Sequence, residues 1–277
     1  MSLSSLPSAS TARSTASLAA DAAASPPRAE RFGRALLGSL LPLFLLALWA
    51  LAAQQGWIGR DLLPSPGDVW RTTEALVLSG ALFQHLGATL ARMLAGFLIG
   101  AAAASLLGAL AGSSRLVHAC LDPLIQGLRS VPSIAWVPLF VLWFGIFEAS
   151  KIALIAAGVF FPVYLNLASA LARTDPRWDE LAAVCERGRL TRFFLIALPA
   201  SLPAYITGLR SGLGLGWMFV AAAELMGASQ GLGFLLTDGE QTGRPETVLA
   251  AIVIFALCGR ASDRVLAALA ARLVWRG

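Results

Sequence analysis

The chain has 277 residues, 57% of them hydrophobic and only 13% charged, with a formal net charge of +5. Soluble domains carry about 25% charged residues, so this chain lacks the polar surface to face water and is suited to a bilayer. Its basic residues are arginines clustered between apolar runs, the pattern left by the positive-inside rule, and no nucleic-acid partner is expected.

Residues 1–30 are rich in Ser, Ala and Pro, hold no apolar run and read as a disordered cytoplasmic tail with no cleaved signal peptide. Residues 31–277 read as one transmembrane domain. Six segments are long and apolar enough to cross about 30 Å of hydrocarbon. They cover about residues 35–53, 86–111, 121–144 (interrupted by Pro123, Pro132 and Pro138), 152–171, 193–226 (near Pro199 and Pro203) and 248–266. The fold class expected is all-α, a polytopic bundle of six transmembrane helices.

With the N-terminus inside, cytoplasmic segments hold Arg28, Arg31, Arg34, Arg115, Arg173, Arg177, Arg187, Arg189, Arg192, Arg272 and others. The outer segments hold Arg60, Arg71, Lys151 and Arg244 beside acids such as Glu148 and Asp238. That asymmetry predicts both termini in the cytoplasm. In the second span Gly96, Gly100, Ala104 and Gly108 form a small-residue stripe that allows close helix packing. Arg129 lies about 12 Å along the third span at the helical rise, where it can attract an anion or pair with a carbonyl or an acid. Arg210 and Glu224 lie in the fifth span, too far apart to pair along one helix, and Glu224 is expected at the outer gate or facing a partner. Arg92 either snorkels or pairs, and capping accounts for Asp122.

No phosphate-binding loop with its Lys and Ser/Thr occurs, so the chain has no ATPase and no enzymatic chemistry of its own. Cys120, Cys185, Cys258, His85 and His118 lie apart without ligand-like spacing. Neither a metal nor a cofactor bound by this chain is expected.

The loop between the fourth and fifth spans, residues 173–192, is the most informative. Asp175 can cap a helix opened by Pro176, with Asp179 and Glu180 in its first turn. Trp178, Leu181, Ala182 and Cys185 recur at i, i+3, i+4 and i+7 and make one apolar face. Such a helix can lie on the inner leaflet or dock into a groove on a soluble partner.

From Glu180 the chain continues with Ala182, Ile196, Leu198 and Pro199. This spacing resembles the Glu-Ala-Ala loop of ATP-binding-cassette importer permeases, with Leu181 for the first Ala and Glu186 for the motif Gly. Gly188, two residues on, can take the turn instead. Leu63-Pro64-Ser65-Pro66, Arg129-Ser130-Val131-Pro132, Phe161-Pro162-Val163-Tyr164, Gly208-Leu209-Arg210, Gly214-Leu215-Gly216-Trp217 and Ala223-Glu224 are similar to the nitrate, sulfonate and taurine branch, most closely its aliphatic sulfonate permeases.

The resemblance implies a type I importer permease fold in the bacterial inner membrane. It makes Glu180, Leu181, Ala182, Cys185, Glu186, Gly188, Leu198 and Pro199 an ATPase-coupling loop. Arg129, Pro132, Arg210, Trp217 and Glu224 are the candidate pathway residues. It also implies a permease homodimer, two copies of an ATPase subunit and a periplasmic solute-binding protein. The expected function is import of a small anion, an aliphatic sulfonate or taurine, by alternating access. Nitrate, a thiamine precursor or another small solute is the alternative within the class, and a stand-alone secondary transporter the alternative outside it.

Overall fold

The computed structural model describes residues 28–57, 59, 62–173, 191 and 193–274. The described residues divide into two units, one up to residue 57 and one from residue 59 onward. The first contains α1 (Arg28–Gln55), which includes the first predicted span and carries Pro42. Leu41, Leu43 and Phe44 are exposed on it.

The second unit is all helical among its described residues. It begins with α2 (Pro66–Leu78), absent from the sequence-based expectation. Ser65 and Asp68 form a capping box, with the Asp68 N–H donating to Ser65 Oγ and the Ser65 N–H to Asp68 Oδ2, both at 3.2 Å. Pro66 follows at the first helical position, where its missing N–H costs nothing.

The core consists of α3 (Ala81–Ser113), α6 (Glu148–Ala172) and α7 (Leu198–Leu225). These three, with α7 extended back to Phe193, are long and apolar enough to cross a membrane. Helix α6 packs most extensively, against α3 on one side and α7 on the other. Glycine makes the approach possible. A Cβ on Gly96 would lie 2.6 Å from the Ile155 side chain, and one on Gly100 would overlap the Ala156 backbone. Gly208 and Gly212 of α7 meet Val163 and Val159 of α6 in the same way. Ile155, Val159, Val163, Tyr164 and Val220 are fully buried along this seam. The stripe read as a packing surface is thus the face α3 turns to α6.

The third predicted span is not one helix. It divides into α4 (Arg115–Ser130), a 3₁₀ turn (Ser133–Trp136) and α5 (Val137–Phe144). Pro132 forces the preceding Val131 out of the helical region, to φ −74° and ψ 123°. Pro138 then opens α5 and Gly145, at φ +73°, closes it. Asp122 caps nothing. The α4 cap is Ser114, whose Oγ accepts from the Val117 N–H at 3.4 Å, and Asp122 lies two turns further in. The fifth predicted span opens as a π turn (Phe193–Ala197) before α7.

After α7, Gly231 at φ +131° leads into α8 (Leu232–Gln241), where the sequence suggested only an outer loop. Leu232 and Leu235 bury against Leu82, Ala251 and Ile254. Helix α9 (Pro245–Val274) packs on α8, α7 and α2, and contains the sixth predicted span.

Gly100→Ala is expected to destabilise the protein by about 1–3 kcal/mol, because its neighbour is backbone and cannot rotate away. Gly87→Ala, with nothing within 4 Å of the new methyl, should stabilise by about 0.5–1 kcal/mol through helix propensity. Thermal unfolding in detergent reads both, and equal effects would contradict the packing described.

Candidate functional site

Two cavities and one buried polar network hold the candidate charges Arg129, Arg210, Arg92 and Glu224. The larger cavity, about 720 Å³, lies between α4, α6 and α7. Helix α6 lines it with a single stripe running from Gly158 through Phe161, Pro162, Leu165, Asn166 and Ser169 to Arg173, the i, i+3, i+4 spacing of one helical face. Helix α4 contributes Arg129, and α7 contributes Ser211, Leu215, Met218 and Phe219. Pro162 has no N–H for the Gly158 carbonyl, and Asn166 Nδ2 donates to the Pro162 carbonyl at 2.8 Å. Among the described residues two arginines line this cavity and no acid does.

The second cavity, about 660 Å³, lies between α7 and α9. Arg210 donates to both carboxylate oxygens of Asp263 at 2.8 Å. Trp217 is buried and donates from Nε1 to Ser262 Oγ at 2.8 Å, with its ring edge-on to Phe255. These two candidates therefore join α7 to α9, and their polar groups are occupied in doing so.

The network lies where α6 begins and α7 ends. Arg92 of α3 donates from Nε and Nη2 to the two oxygens of Glu148, at 2.5 and 2.9 Å. Its Nη1 donates to Glu224 Oε1 at 2.7 Å and to the Gln230 carbonyl at 2.6 Å. Glu224 also accepts from the Gly233 N–H at 2.8 Å, and Thr89 Oγ1 lies within 3.0 Å of both its oxygens. Thr89 Oγ1 in turn accepts from the Leu232 N–H at 2.8 Å. His85 Nδ1 accepts from the Gly231 N–H at 3.1 Å, and its ring stacks on Phe234. Lys151 Nζ lies 3.4 Å from Glu148 Oε1. One arginine and one lysine thus balance two glutamates. The Arg92 side chain is 6% exposed, Glu224 0% and Glu148 57%, so the network is sealed on the Glu224 side and open on the Glu148 side.

The candidate pathway residues consequently separate. Arg129 lines the larger cavity, Arg210 and Trp217 the smaller, Pro132 sits exposed at the break after α4, and Glu224 is walled into the network. Glu224 therefore presents no surface to a gate or a partner, because Arg92, Thr89 and Gly233 take its oxygens. Of the coupling-loop residues, Leu198 and Pro199 form the first turn of α7. Glu180, Leu181, Ala182, Cys185, Glu186 and Gly188 lie outside the described residues. Sequence reasoning missed Arg173 and Asn166 at the larger cavity, and Thr89 and Glu148 in the network. The α6 stripe was readable at helical spacing, but Arg173 was absorbed into the loop charge pattern. The partners of Arg92 lie 56 and 132 residues away, beyond the reach of any local pattern.

Long apolar helices packed around cavities that carry arginines, with a buried ion-pair network beside them, suit a helical membrane transport subunit. The chain belongs to the family of binding-protein-dependent transport system inner membrane components, which matches residues 96–275. It is 40% identical over 258 residues to the aliphatic sulfonates transport permease protein SsuC of Bacillus subtilis (strain 168), covering 93% of each chain. Similarity to SsuC of Escherichia coli (strain K12) is 38% over 223 residues, covering 80% of this chain and 85% of that one. The taurine transport system permease protein TauC of the same strain is 34% identical over 239 residues, with 84% and 87% covered. The chain is therefore a permease subunit of an ATP-binding-cassette importer, in the nitrate, sulfonate and taurine branch, and a multi-pass membrane protein. A permease of this kind works with an ATPase and a substrate-binding protein and is not itself an enzyme.

Arg92→Met is expected to cost about 3–5 kcal/mol, because Glu224 is left charged and buried without its cation. Adding Glu224→Gln to that variant should recover part of the loss, which a double-mutant cycle by thermal unfolding measures. Additive losses would show that the pair is not coupled.

Proposed function

We propose that this permease moves a small organic anion, an aliphatic sulfonate or taurine, into the cytoplasm by alternating access. The supporting observation is the large cavity between α4, α6 and α7, whose described lining holds two arginines and no acid. Two copies of the chain form the pathway, each with six spans and both termini in the cytoplasm, and residues 1–30 form a tail outside the transport domain. Two ATPase subunits close on ATP, and a periplasmic binding protein delivers the anion to the outer face.

Residues 173–192 carry the coupling helix. Glu180, Leu181, Ala182 and Cys185 sit in the ATPase cleft, Glu186 and Gly188 form the exit turn, and Leu198 and Pro199 pass the motion into α7. The opening of α7 suits that task, because a π turn leads directly into its Pro199 turn. Nucleotide shifts such an equilibrium only through its different affinity for the two states, and a helix seated in the ATPase carries that difference to the spans.

The rival outside the class is a transporter working alone, driven by ions through charges near the bilayer midplane. Glu148 is the first residue of α6 and Glu224 lies in the last turn of α7, while the mid-helix Arg210 is bound at both carboxylate oxygens of Asp263 across from it. Their arrangement supports a structural clamp over an ion path.

The test uses the permease co-purified with its ATPase and reconstituted into vesicles with its binding protein. Glu180→Ala should leave the ATPase in the complex while lowering ATP-dependent sulfonate uptake at least tenfold. Wild-type uptake by that variant would contradict the coupling assignment.

A further inference from the structure

The larger cavity carries an inference about substrate selection that rests on the importer reading and deepens it. Arg71, Arg92, Arg210 and Arg244 each sit on a carboxylate within 3.0 Å. Arg129 and Arg173 form no ion pair among the described residues, yet both line the same cavity. A guanidinium fork without a protein partner matches the oxygens of a sulfonate, carboxylate or phosphate group.

The rest of the lining is not that of a site for an inorganic anion. Along α6 the stripe changes character, from Phe161 and Leu165 to Asn166, Ser169 and Arg173. Across the cavity, α7 presents Leu215 and Phe219 beside Ser211. The 15 steps from Gly158 to Arg173 span about 22 Å of helix. The volume of about 720 Å³ also far exceeds the roughly 30 Å³ share of one water. An ion of a few atoms would gain nothing from the apolar wall, whereas a molecule with a charged head and an alkyl tail uses both parts.

We propose that this cavity selects its substrate within the pathway, with Arg129 and Arg173 holding an oxyanion head and Phe161, Leu165, Leu215 and Phe219 holding a short alkyl tail. The permease then contributes to specificity alongside the binding protein and favours unsubstituted alkanesulfonates. Nitrate lacks the tail. Taurine carries an ammonium into a cavity whose described lining offers two cations and no carboxylate.

Calorimetric binding to the detergent-purified permease–ATPase complex, without nucleotide or binding protein, tests this. From methanesulfonate to 1-butanesulfonate, affinity should rise about three- to fourfold per added methylene. Ethanesulfonate should bind more tightly than taurine, and 1-butanesulfonate more tightly than nitrate. Arg129→Met should weaken every sulfonate at least tenfold and keep the chain-length trend, while Phe161→Ser should flatten the trend. Indifference to chain length, taurine binding at least as tightly as ethanesulfonate, or an unaffected Arg129→Met complex would overturn the proposal. Should a variant fail to assemble, the wild-type chain-length series and the taurine comparison decide the matter alone. An intact complex that binds no sulfonate would remove this assignment and leave the importer reading standing, whereas absence of the ATPase from the purified protein would count against the importer reading itself.

Discussion

A single guanidinium, Arg92, ties together the three helices on which the rest of the bundle is built. It stands on α3 and reaches the first residue of α6, the last turn of α7 and the turn that leads into α8. A buried charge is tolerable only when it is paired and hydrogen-bonded, so every donor of Arg92 used here constrains one of those elements. The reach depends on close packing. Only because Gly96 and Gly100 let α3 lie against α6 can one side chain bridge the three helices.

This frame determines where space is left. One face of α6 is closed against α3 and another is closed against α7, and the remaining stripe from Gly158 to Arg173 lines the cavity. The opposite wall includes Arg129, on a helix that ends at the Pro132 break and is followed by a 3₁₀ turn. One cavity arginine thus belongs to the clamped frame and the other to a segmented element beside it. Any relative movement of the two changes the spacing of the charges that face the anion. The second cavity differs in carrying an acid, Asp263, which pairs with Arg210 beside Arg260 on the same lining.

The helical class, the long spans and the small-residue face were legible in the sequence because apolar length and helical spacing are local properties. The interruption of the third span at Pro132 was visible as a proline, and its effect on Val131 is what ends α4 there. Helix α2 could have been found from Ser65 and Asp68, whose spacing is that of a capping box. Helix α8 could not, because it owes its burial to Leu82, Ala251 and Ile254 in distant helices. Glu224 looked like an outward-facing acid for the same reason, since Arg92 and Thr89 approach it from α3. Arg129 was legible as a candidate, and its companion Arg173 was hidden among arginines that mark the side of the membrane.

The central claim is that nucleotide hydrolysis by a partner drives anion flux through this chain. Its most direct test is accumulation of labelled 1-butanesulfonate in vesicles that hold the permease, its ATPase and its binding protein, supplied with hydrolysable or non-hydrolysable nucleotide. Accumulation above the equilibrium level with ATP, and none with the non-hydrolysable analogue, is the predicted result. Equal flux in the two conditions, or flux through the permease alone, would contradict it.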